Sequence, residues 1–202
     1  FLKNIEMFDA GAFAMSEIES AMCDPQQRFL LESSSEALLH ALAGSRSSTG
    51  VFVGISMLEY AWAVTKHIPL PNTYTATSAH LSVSSGRLSY TFGLRGPAVT
   101  VDTACASAIC ALHSATNSLL FDECTFASAL APGLKLCPHG TLSAAGAGML
   151  AIDGRCKTFD ARANGYARSE ALGAAALLPL LTVGECALDG SAVRQDGRSA
   201  SL

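Results

Sequence analysis

Two hydrophobic patterns alternate along the chain. Short apolar runs rich in β-forming residues lie at 49–56 (TGVFVGIS), 98–103 (AVTVDT) and 126–131 (FASALA), and such runs are typical of strands buried on both faces. The segments between them, at 25–44, 76–92 and about 105–120, carry apolar residues at helical spacing. Alternating strands and helices predict an α/β architecture whose central sheet is covered on both faces.

Capping and turn residues set the expected boundaries. Asp24 followed by Pro25 is a typical helix start, and we expect that helix to run to Gly44. Gly93 is expected to close the helix at 76–92, with GLRGP at 93–97 as a turn. We expect Gly/Pro-rich loops to lead from the third strand into 155–170, and AAALLPLL at 174–181 to be buried. No repeat or linker is visible, so we predict one domain or part of one.

The composition indicates that the chain has few charged residues with which to form a water-exposed surface. Half of the 202 residues are hydrophobic and only 15% are charged, against about 25% in typical soluble domains. Membrane spans do not explain this, because the uncharged run 171–184 is short and broken by Pro179, and the longer run 103–121 contains polar residues throughout. No basic segment and apolar core of a secretory signal are visible at Phe1. Part of the surface is therefore expected to pack against something else.

Charge and cysteine usage narrow the function classes. The net charge is −4 and the isoelectric point is near 5.7, without any Lys/Arg cluster, which argues against nucleic acid and anionic membrane surfaces. The seven cysteines form no CxxC pair and no zinc spacing. An odd, scattered set favours a reducing compartment over a disulfide framework, so we expect a cytoplasmic protein, although an organellar location stays open.

Cys105 is the candidate nucleophile. It lies where the strand at 98–103 is expected to turn into a helix, between the small residues Ala104 and Ala106, which is the logic of a nucleophile elbow. The first turn of a helix favours a thiolate, and its backbone N–H groups are placed to stabilise an oxyanion. The alternative is a buried cysteine acting as a small hydrophobe, which is the interpretation we adopt for Cys110 and Cys124.

The histidines do not complete a catalytic pair by spacing. His113 is the nearest in sequence, but eight residues along one helix correspond to about 12 Å of rise. His40, His67, His80 and His139 lie in no motif that connects them to Cys105. Asp102 is expected to be a structural hydrogen-bonding residue rather than part of a triad.

Six blocks resemble the β-ketoacyl synthases, in particular the ketosynthase domains of multidomain polyketide synthases. They are VDTACASAICALHSA at 101–115, FDAGAFAMSEIESAMCDPQQRFLLESSSEAL at 8–38, GVFVGIS at 50–56, SSGRLSYTFGLRGPAVTVDTAC at 84–105, GRCKTFDARANGYARSE at 154–170 and GSAVRQDGRS at 190–199. They follow the family order over nearly the whole chain. We therefore interpret residues 1–202 as a single partial β-ketoacyl synthase domain, roughly the first half of a ketosynthase.

The resemblance implies a thiolase-like layered α/β/α fold, incomplete here, and a homodimer in the full domain. It implies that Cys105 accepts an acyl group from a thioester, and that a malonyl-type extender is then decarboxylated and condenses with it in a Claisen reaction. No cofactor or metal is expected to bind directly. The substrates would arrive on the phosphopantetheine of an acyl carrier protein or on coenzyme A, and the partners would be that carrier and other synthase domains.

The sequence also departs from the family pattern. The family's two catalytic histidines lie in His-Gly-Thr-Gly-Thr and Asn-Ile-Gly-His segments, and neither segment occurs in these 202 residues. In the block NGYARSEAL, Asn164 stands where aspartate is common, and Ser169 and Ala171 stand where glycine is common. Arg194 replaces the usual asparagine, and Ala106 replaces a serine.

Three functional hypotheses follow. The first is a ketosynthase of a polyketide- or fatty-acid-type synthase with Cys105 as acyl acceptor, which by itself lacks the catalytic histidines. The second is a catalytically inactive, ketosynthase-like structural or interaction subunit whose exposed apolar surface a partner protein covers. The third is a stand-alone cysteine hydrolase, which needs a histidine and an orienting group within this chain.

Overall fold

The computed structural model describes residues 2–39, 48–64, 72–179 and 186–198. Its helices are α1 Glu17–Met22, α2 Pro25–Leu39, α3 Glu59–Val64, α4 Thr73–Ala79, α5 Val83–Phe92, α6 Ser107–Leu120 and α7 Pro138–Gly146. Its strands are β1 Thr49–Gly54, β2 Ala98–Val101, β3 Phe126–Gly133 and β4 Ala171–Leu177, and short 3₁₀ turns lie at Gly11–Phe13 and Ala104–Ala106. The predicted α/β class and the three predicted strands are confirmed.

The strands form one mixed sheet in the order β2-β1-β3-β4. β1 pairs in parallel with β2 and with β3, and β4 runs antiparallel to β3. The carboxyl ends of β2, β1 and β3 therefore reach the same edge of the sheet, and the residues just before β4 lie at that edge too. We call it the carboxyl edge.

Helices cover both faces of this sheet. Because side chains alternate along a strand, Val51 and Val53 of β1 face a cluster with α2 and α5, whereas Phe52 faces a second cluster with α6. Ala111 and Ala115 are the fully buried residues of α6, and their small side chains let this helix lie close to the strands. The result is the layered α/β/α arrangement that the sequence predicts.

The start of α2 is built as predicted. Asp24 caps the helix, because its Oδ1 accepts the N–H of Gln26 at 2.7 Å, and Pro25 is the first helical residue. Gln26 is also buried, and its side-chain amide links the segments that follow β1 and β3. It donates to the Met57 carbonyl at 2.6 Å and accepts from the Leu134 N–H at 3.1 Å. The predicted end of this helix at 40–44 lies outside the described residues.

A partly buried polar cluster joins α1, α2 and α5. Arg87 Nη1 lies 2.7 Å from Glu19 Oε1, and its Nε donates to Gln27 Oε1 at 2.9 Å. The Cys23 thiol lies 3.7 Å from the same Gln27 oxygen. Burial raises the pKa of Cys23 to about 11, so this cysteine stays a neutral thiol within the cluster.

Three expectations need correction. The helix expected at 76–92 is two helices, because the backbone at His80 is extended (φ −106°, ψ 125°) and separates α4 from α5. The expected helix end at Gly93 is confirmed, since Gly93 has a left-handed φ of 67°. The region expected to be only loops before 155 contains α7. The segment expected to be buried at 174–181 is largely exposed over 174–179, because β4 is the outermost strand of the sheet within the described residues. Residues 180 and 181 lie outside those residues.

Burial of Asp24 predicts a pH-dependent stability. Burial raises the pKa of Asp24 to about 6, against the hydrogen bonds from Gln26 and the charge of Arg28. A raised pKa in the folded state stabilises the protein below the unfolded pKa, and this contribution is lost as the pH rises through about 6. We expect Asp24→Asn, which keeps the helix cap, to gain about 1–2 kcal/mol relative to wild type between pH 5 and pH 8.

Urea unfolding at the two pH values measures this difference. Asp9→Asn is the matched control, because the exposed Asp9 caps a 3₁₀ turn through the N–H of Ala12 at 3.2 Å and is not buried. Parallel pH profiles for Asp24→Asn and wild type would contradict the assignment.

Candidate active site

Cys105 lies at the corner between β2 and α6. It is the middle residue of the 3₁₀ turn Ala104–Ala106, directly before the first residue of α6, and it is exposed. The predicted strand-to-helix corner is therefore confirmed, and the alternative of a buried Cys105 is wrong. Cys110 and Cys124 are buried, as predicted.

Hydrogen bonds to two side chains define the corner. Asp102 Oδ1 accepts the N–H of Ala104 at 2.9 Å, and Ala104 has the left-handed φ of 51° that a sharp turn requires. Ser107 Oγ accepts the N–H of Thr103 at 2.9 Å and donates to the Ala104 carbonyl at 2.7 Å. Asp102 is thus a structural residue, as expected, and the corner closes without the serine that the family has at Ala106.

The backbone of the corner leaves one donor beside the thiol. The N–H groups of Thr103, Ala104 and Ala106 are all used within the turn. Among the residues that the structure describes, nothing accepts the N–H of Cys105. An exposed thiol with a free amide at the start of a 14-residue helix has the groups that a thioester carbonyl needs, namely a nucleophile and a donor for the oxyanion.

Gly54 at the end of β1 sets the position of α6. A Cβ built on Gly54 would lie 2.7 Å from Ala108 N and closer still to the Ser107 carbonyl. Any side chain here would push the first turn of α6, and with it the corner that carries Cys105, away from the sheet.

The described histidines contact other groups. His113 Nδ1 lies 2.8 Å from Ser191 Oγ, and its Nε2 lies 3.0 Å from Asn117 Nδ2. His139 packs edge-on against Trp62 with ring centroids 4.8 Å apart, and His80 is exposed. His40 and His67 lie outside the described residues, and no described histidine hydrogen-bonds to Cys105.

His113 fastens the 186–198 segment to α6. Both of its ring nitrogens contact polar side chains of Ser191 and Asn117, and neither lies at Cys105. The stand-alone hydrolase hypothesis has no histidine at Cys105 among the described residues.

A buried ion pair occupies the other end of the carboxyl edge. Glu59, which is 1% exposed, accepts the N–H groups of Leu136 at 2.8 Å and Cys137 at 3.0 Å through Oε2. Its Oε1 lies 3.4 Å from Arg168 Nη2, and Arg168 Nη1 donates to Thr141 Oγ1 at 2.9 Å. The pair ties the start of α7 and the 155–170 loop to α3, and sequence reasoning missed it because the partners are 109 positions apart and belong to no local motif.

The departures from the family pattern are accommodated without backbone strain at the lost glycines. Neither Ser169 nor Ala171 is among the residues with positive φ. Asn164 Oδ1 accepts from Lys157 Nζ at 2.6 Å, and Arg194 is exposed.

The described residues hold no group of three or more His, Cys, Asp or Glu side chains arranged to bind a metal ion. No helix within the described part of the chain is both long and apolar enough to cross a bilayer.

The comparisons with known proteins agree with this geometry. The family model for the β-ketoacyl synthase N-terminal domain matches residues 1–182, and the layered α/β fold is the thiolase-like fold of the ketosynthase neighbours. The chain belongs to the β-ketoacyl synthase family, as its motifs predict.

The similar proteins are polyketide synthases and their ketosynthase domains. The chain is 42% identical to spectinabilin polyketide synthase system protein NorA of Streptomyces orinoci, over 100% of the chain and 11% of that protein. It is 39% identical to one subunit of the phenolphthiocerol/phthiocerol polyketide synthase of Mycobacterium tuberculosis, again over 100% of the chain and 11% of the relative. The chain thus spans about a tenth of the length of these relatives.

Solved ketosynthase structures share the fold. The ketosynthase from module 6 of the bacillaene synthase from Bacillus subtilis 168 superposes with a TM-score of 0.75 at 31% identity, over 90% of this chain and 31% of that one. The oxazolomycin ketosynthase domain OzmH KS7 of Streptomyces albus JA3453 gives a TM-score of 0.75 at 31% identity, over 87% and 31% of the two chains.

The close approach at Gly54 gives a prediction. We expect Gly54→Ala to lower the free energy of unfolding by about 2 kcal/mol or more, because the new methyl group meets backbone atoms that cannot rotate away. Gly86→Ala is the control, since a Cβ on Gly86 meets nothing within 4 Å, and it should stabilise α5 by about 0.5–1 kcal/mol. Thermal unfolding compares the two, and equal stability of Gly54→Ala and wild type would contradict the contact.

Proposed function

We propose that this chain is the thiol-bearing part of a polyketide synthase ketosynthase, and that Cys105 is its acyl acceptor. The single observation that carries the proposal is the exposed Cys105 thiol at the strand–helix corner, beside a backbone N–H that no described residue accepts. The family membership supports the same role, because Cys105 matches the family's acyl-accepting cysteine in the block VDTACASA.

The first half-reaction follows from this geometry. The Cys105 thiolate attacks the carbonyl carbon of an acyl thioester, and the negative charge that develops on the oxygen is stabilised by the Cys105 N–H at the start of α6. The carbon–sulfur bond of the donor then breaks, the donor leaves as a thiolate that takes up a proton, and the acyl group remains on Cys105.

The second half-reaction needs further groups. A malonyl-type extender would lose carbon dioxide, and its carbanion would attack the acyl carbon on Cys105 and release the thiol. The family assigns decarboxylation to two histidines in segments that these 202 residues do not contain. The chain by itself is therefore proposed to load acyl groups, and condensation depends on those histidines.

The substrates and partners are part of the proposal. The acyl group and the extender would be carried on the phosphopantetheine of an acyl carrier protein or on coenzyme A, and no cofactor would be bound by the chain itself. The other synthase domains would be its partners. A cytoplasmic location is proposed because the odd, scattered set of cysteines favours a reducing compartment.

A second candidate is a non-enzymatic, ketosynthase-like subunit. The observation that favours it is the set of large apolar side chains left in solvent, among them Phe121 (76% exposed), Ile152 (98%) and Phe159 (106%). Surfaces of this kind mark sites of association. Acyl loading of Cys105 separates this candidate from the first.

Acyl loading tests the proposal. Incubation with a radiolabelled acyl-coenzyme A should give a hydroxylamine-sensitive thioester on the protein, and Cys105→Ser should abolish this thioester label while the fold is kept, because a hydroxyl is far less ionised than a thiol. Cys156→Ser and Cys186→Ser remove other exposed cysteines and should leave the labelling unchanged. Loading of Cys105→Ser at the wild-type rate would show that another residue is the acceptor.

The domain is also proposed to act as a homodimer paired through β2. β2 is at the end of the sheet and, within the described strands, pairs with β1 alone, so its outer N–H and C=O groups are available to a second copy. Val99 of this strand is 38% exposed.

A charge on this edge tests the dimer. Val99→Lys should shift the protein from dimer to monomer, because an edge lysine opposes strand pairing. Tyr90→Lys, at a residue of α5 that is 90% exposed, should leave the equilibrium unchanged. Analytical ultracentrifugation measures both, and a Val99→Lys dimer of wild-type affinity would contradict pairing through β2.

A further inference from the structure

A cavity opens beyond the carboxyl edge, next to the Glu59–Arg168 pair. It has a volume of about 220 Å³ and is lined by Lys135, Thr141, Leu150, Ala151, Tyr166 and Arg168, among others. This cavity is open to solvent on one side, and its lining combines apolar side chains with an amine.

The amine of Lys135 is not held by a carboxylate. Its Nζ donates to the Leu134 carbonyl at 3.3 Å, and no carboxylate of the described residues lies within ion-pair distance of it. Lys157 differs, because its Nζ lies 2.8 Å from Asp153 Oδ2 and 2.6 Å from Asn164 Oδ1. The Lys135 nitrogen is thus the less restrained of the two.

The surroundings of Lys135 favour its neutral form. Burial lowers the pKa of Lys135, and the charge of Arg168 lowers it further, whereas Glu59 and Glu170 act in the opposite direction. Neither carboxylate forms an ion pair with Lys135 Nζ: Glu59 binds Arg168, and Glu170 accepts the backbone N–H groups of Leu2 and Lys135 at 2.8 and 2.9 Å. A larger fraction of the Lys135 amine is therefore unprotonated and nucleophilic than for an exposed lysine.

The sheet register places Lys135 at the same edge as Cys105. Val101 of β2 pairs with Gly54, and Leu130 of β3 pairs with the adjacent Val53. Cys105 follows Val101 by four residues and Lys135 follows Leu130 by five. β2 and β3 are two strand spacings apart, about 10 Å, so Cys105 and Lys135 both lie beyond the carboxyl edge of the sheet.

We propose that Lys135 is a second acyl-accepting group, which short-chain acyl thioesters convert to an N-acyl lysine within this cavity. The neutral nitrogen attacks the thioester carbonyl carbon and the carbon–sulfur bond breaks. The proton lost by the nitrogen passes to the departing thiolate, so that an amide and a free thiol result without any oxidant or reductant. This inference rests on the proposed function, because it assumes that acyl thioesters are delivered to this edge.

Intact mass measurement tests it with acetyl-coenzyme A as the probe. Hydroxylamine cleaves the thioester on Cys105 and leaves an amide on lysine, so the two products are counted separately in one sample. Peptide mapping should show Lys135 acetylated at least about fivefold faster than the exposed Lys3 or the ion-paired Lys157 near pH 8. The ratio of the Lys135 rate to the control rates should shrink as the pH rises, because the control lysines then also lose their protons.

Variants assign the adduct. Lys135→Arg should remove the fast hydroxylamine-resistant adduct, and Lys157→Arg should keep it. Cys105→Ala should also keep it, because the attack on the thioester is direct. Acetylation of Lys135 no faster than that of Lys3, or its loss in Cys105→Ala, would overturn the proposal, whereas absence of the hydroxylamine-sensitive product alone would count against Cys105 as acyl acceptor.

Discussion

The arrangement of the candidate site depends on one backbone contact, between the end of β1 and the first turn of α6. Gly54 leaves space that the Ser107 carbonyl and the Ala108 nitrogen fill. Because α6 begins there, the turn that joins it to β2 has to be short, and Ala104 takes a left-handed conformation within it. The Cys105 thiol is exposed as a consequence of this close packing.

The carboxyl edge is organised by side chains that reach across strands. Gln26 binds the backbone that follows β1 and β3, and Glu59 binds the backbone in front of α7. Both side chains are almost completely buried, so their hydrogen bonds form in a medium that strengthens them and makes their loss costly. The segments that follow β1 and β3 are thus attached to α2 and α3 by buried polar contacts.

The sequence was sufficient for elements whose signals are local. The continuous apolar run of β1, the Asp24-Pro25 helix start and the small residues around Cys105 each act within a few positions, and the structure contains all three features. The helix α7 escaped prediction because Cys137 at its start provides no side-chain cap, and Glu59, from far earlier in the chain, binds the N–H groups there. The break between α4 and α5 was also missed. Apolar residues keep helical spacing across His80, but the backbone of His80 is extended and ends the helix there. The exposure of β4 depends on its place at the end of the sheet, which an apolar run does not reveal.

The strand order has a consequence for synthesis of the chain. β1 is an inner strand whose two neighbours both come later in the sequence, and β3 begins at Phe126, whereas β1 ends at Gly54. At the usual rates of translation, about 5–20 residues per second, several seconds pass before both partners have emerged. Until β2 and then β3 emerge, the backbone of TGVFVG has unpaired N–H and C=O groups along one or both of its edges. The nascent chain therefore carries an aggregation-prone segment that chaperones or neighbouring helices have to shield until β3 has been synthesised.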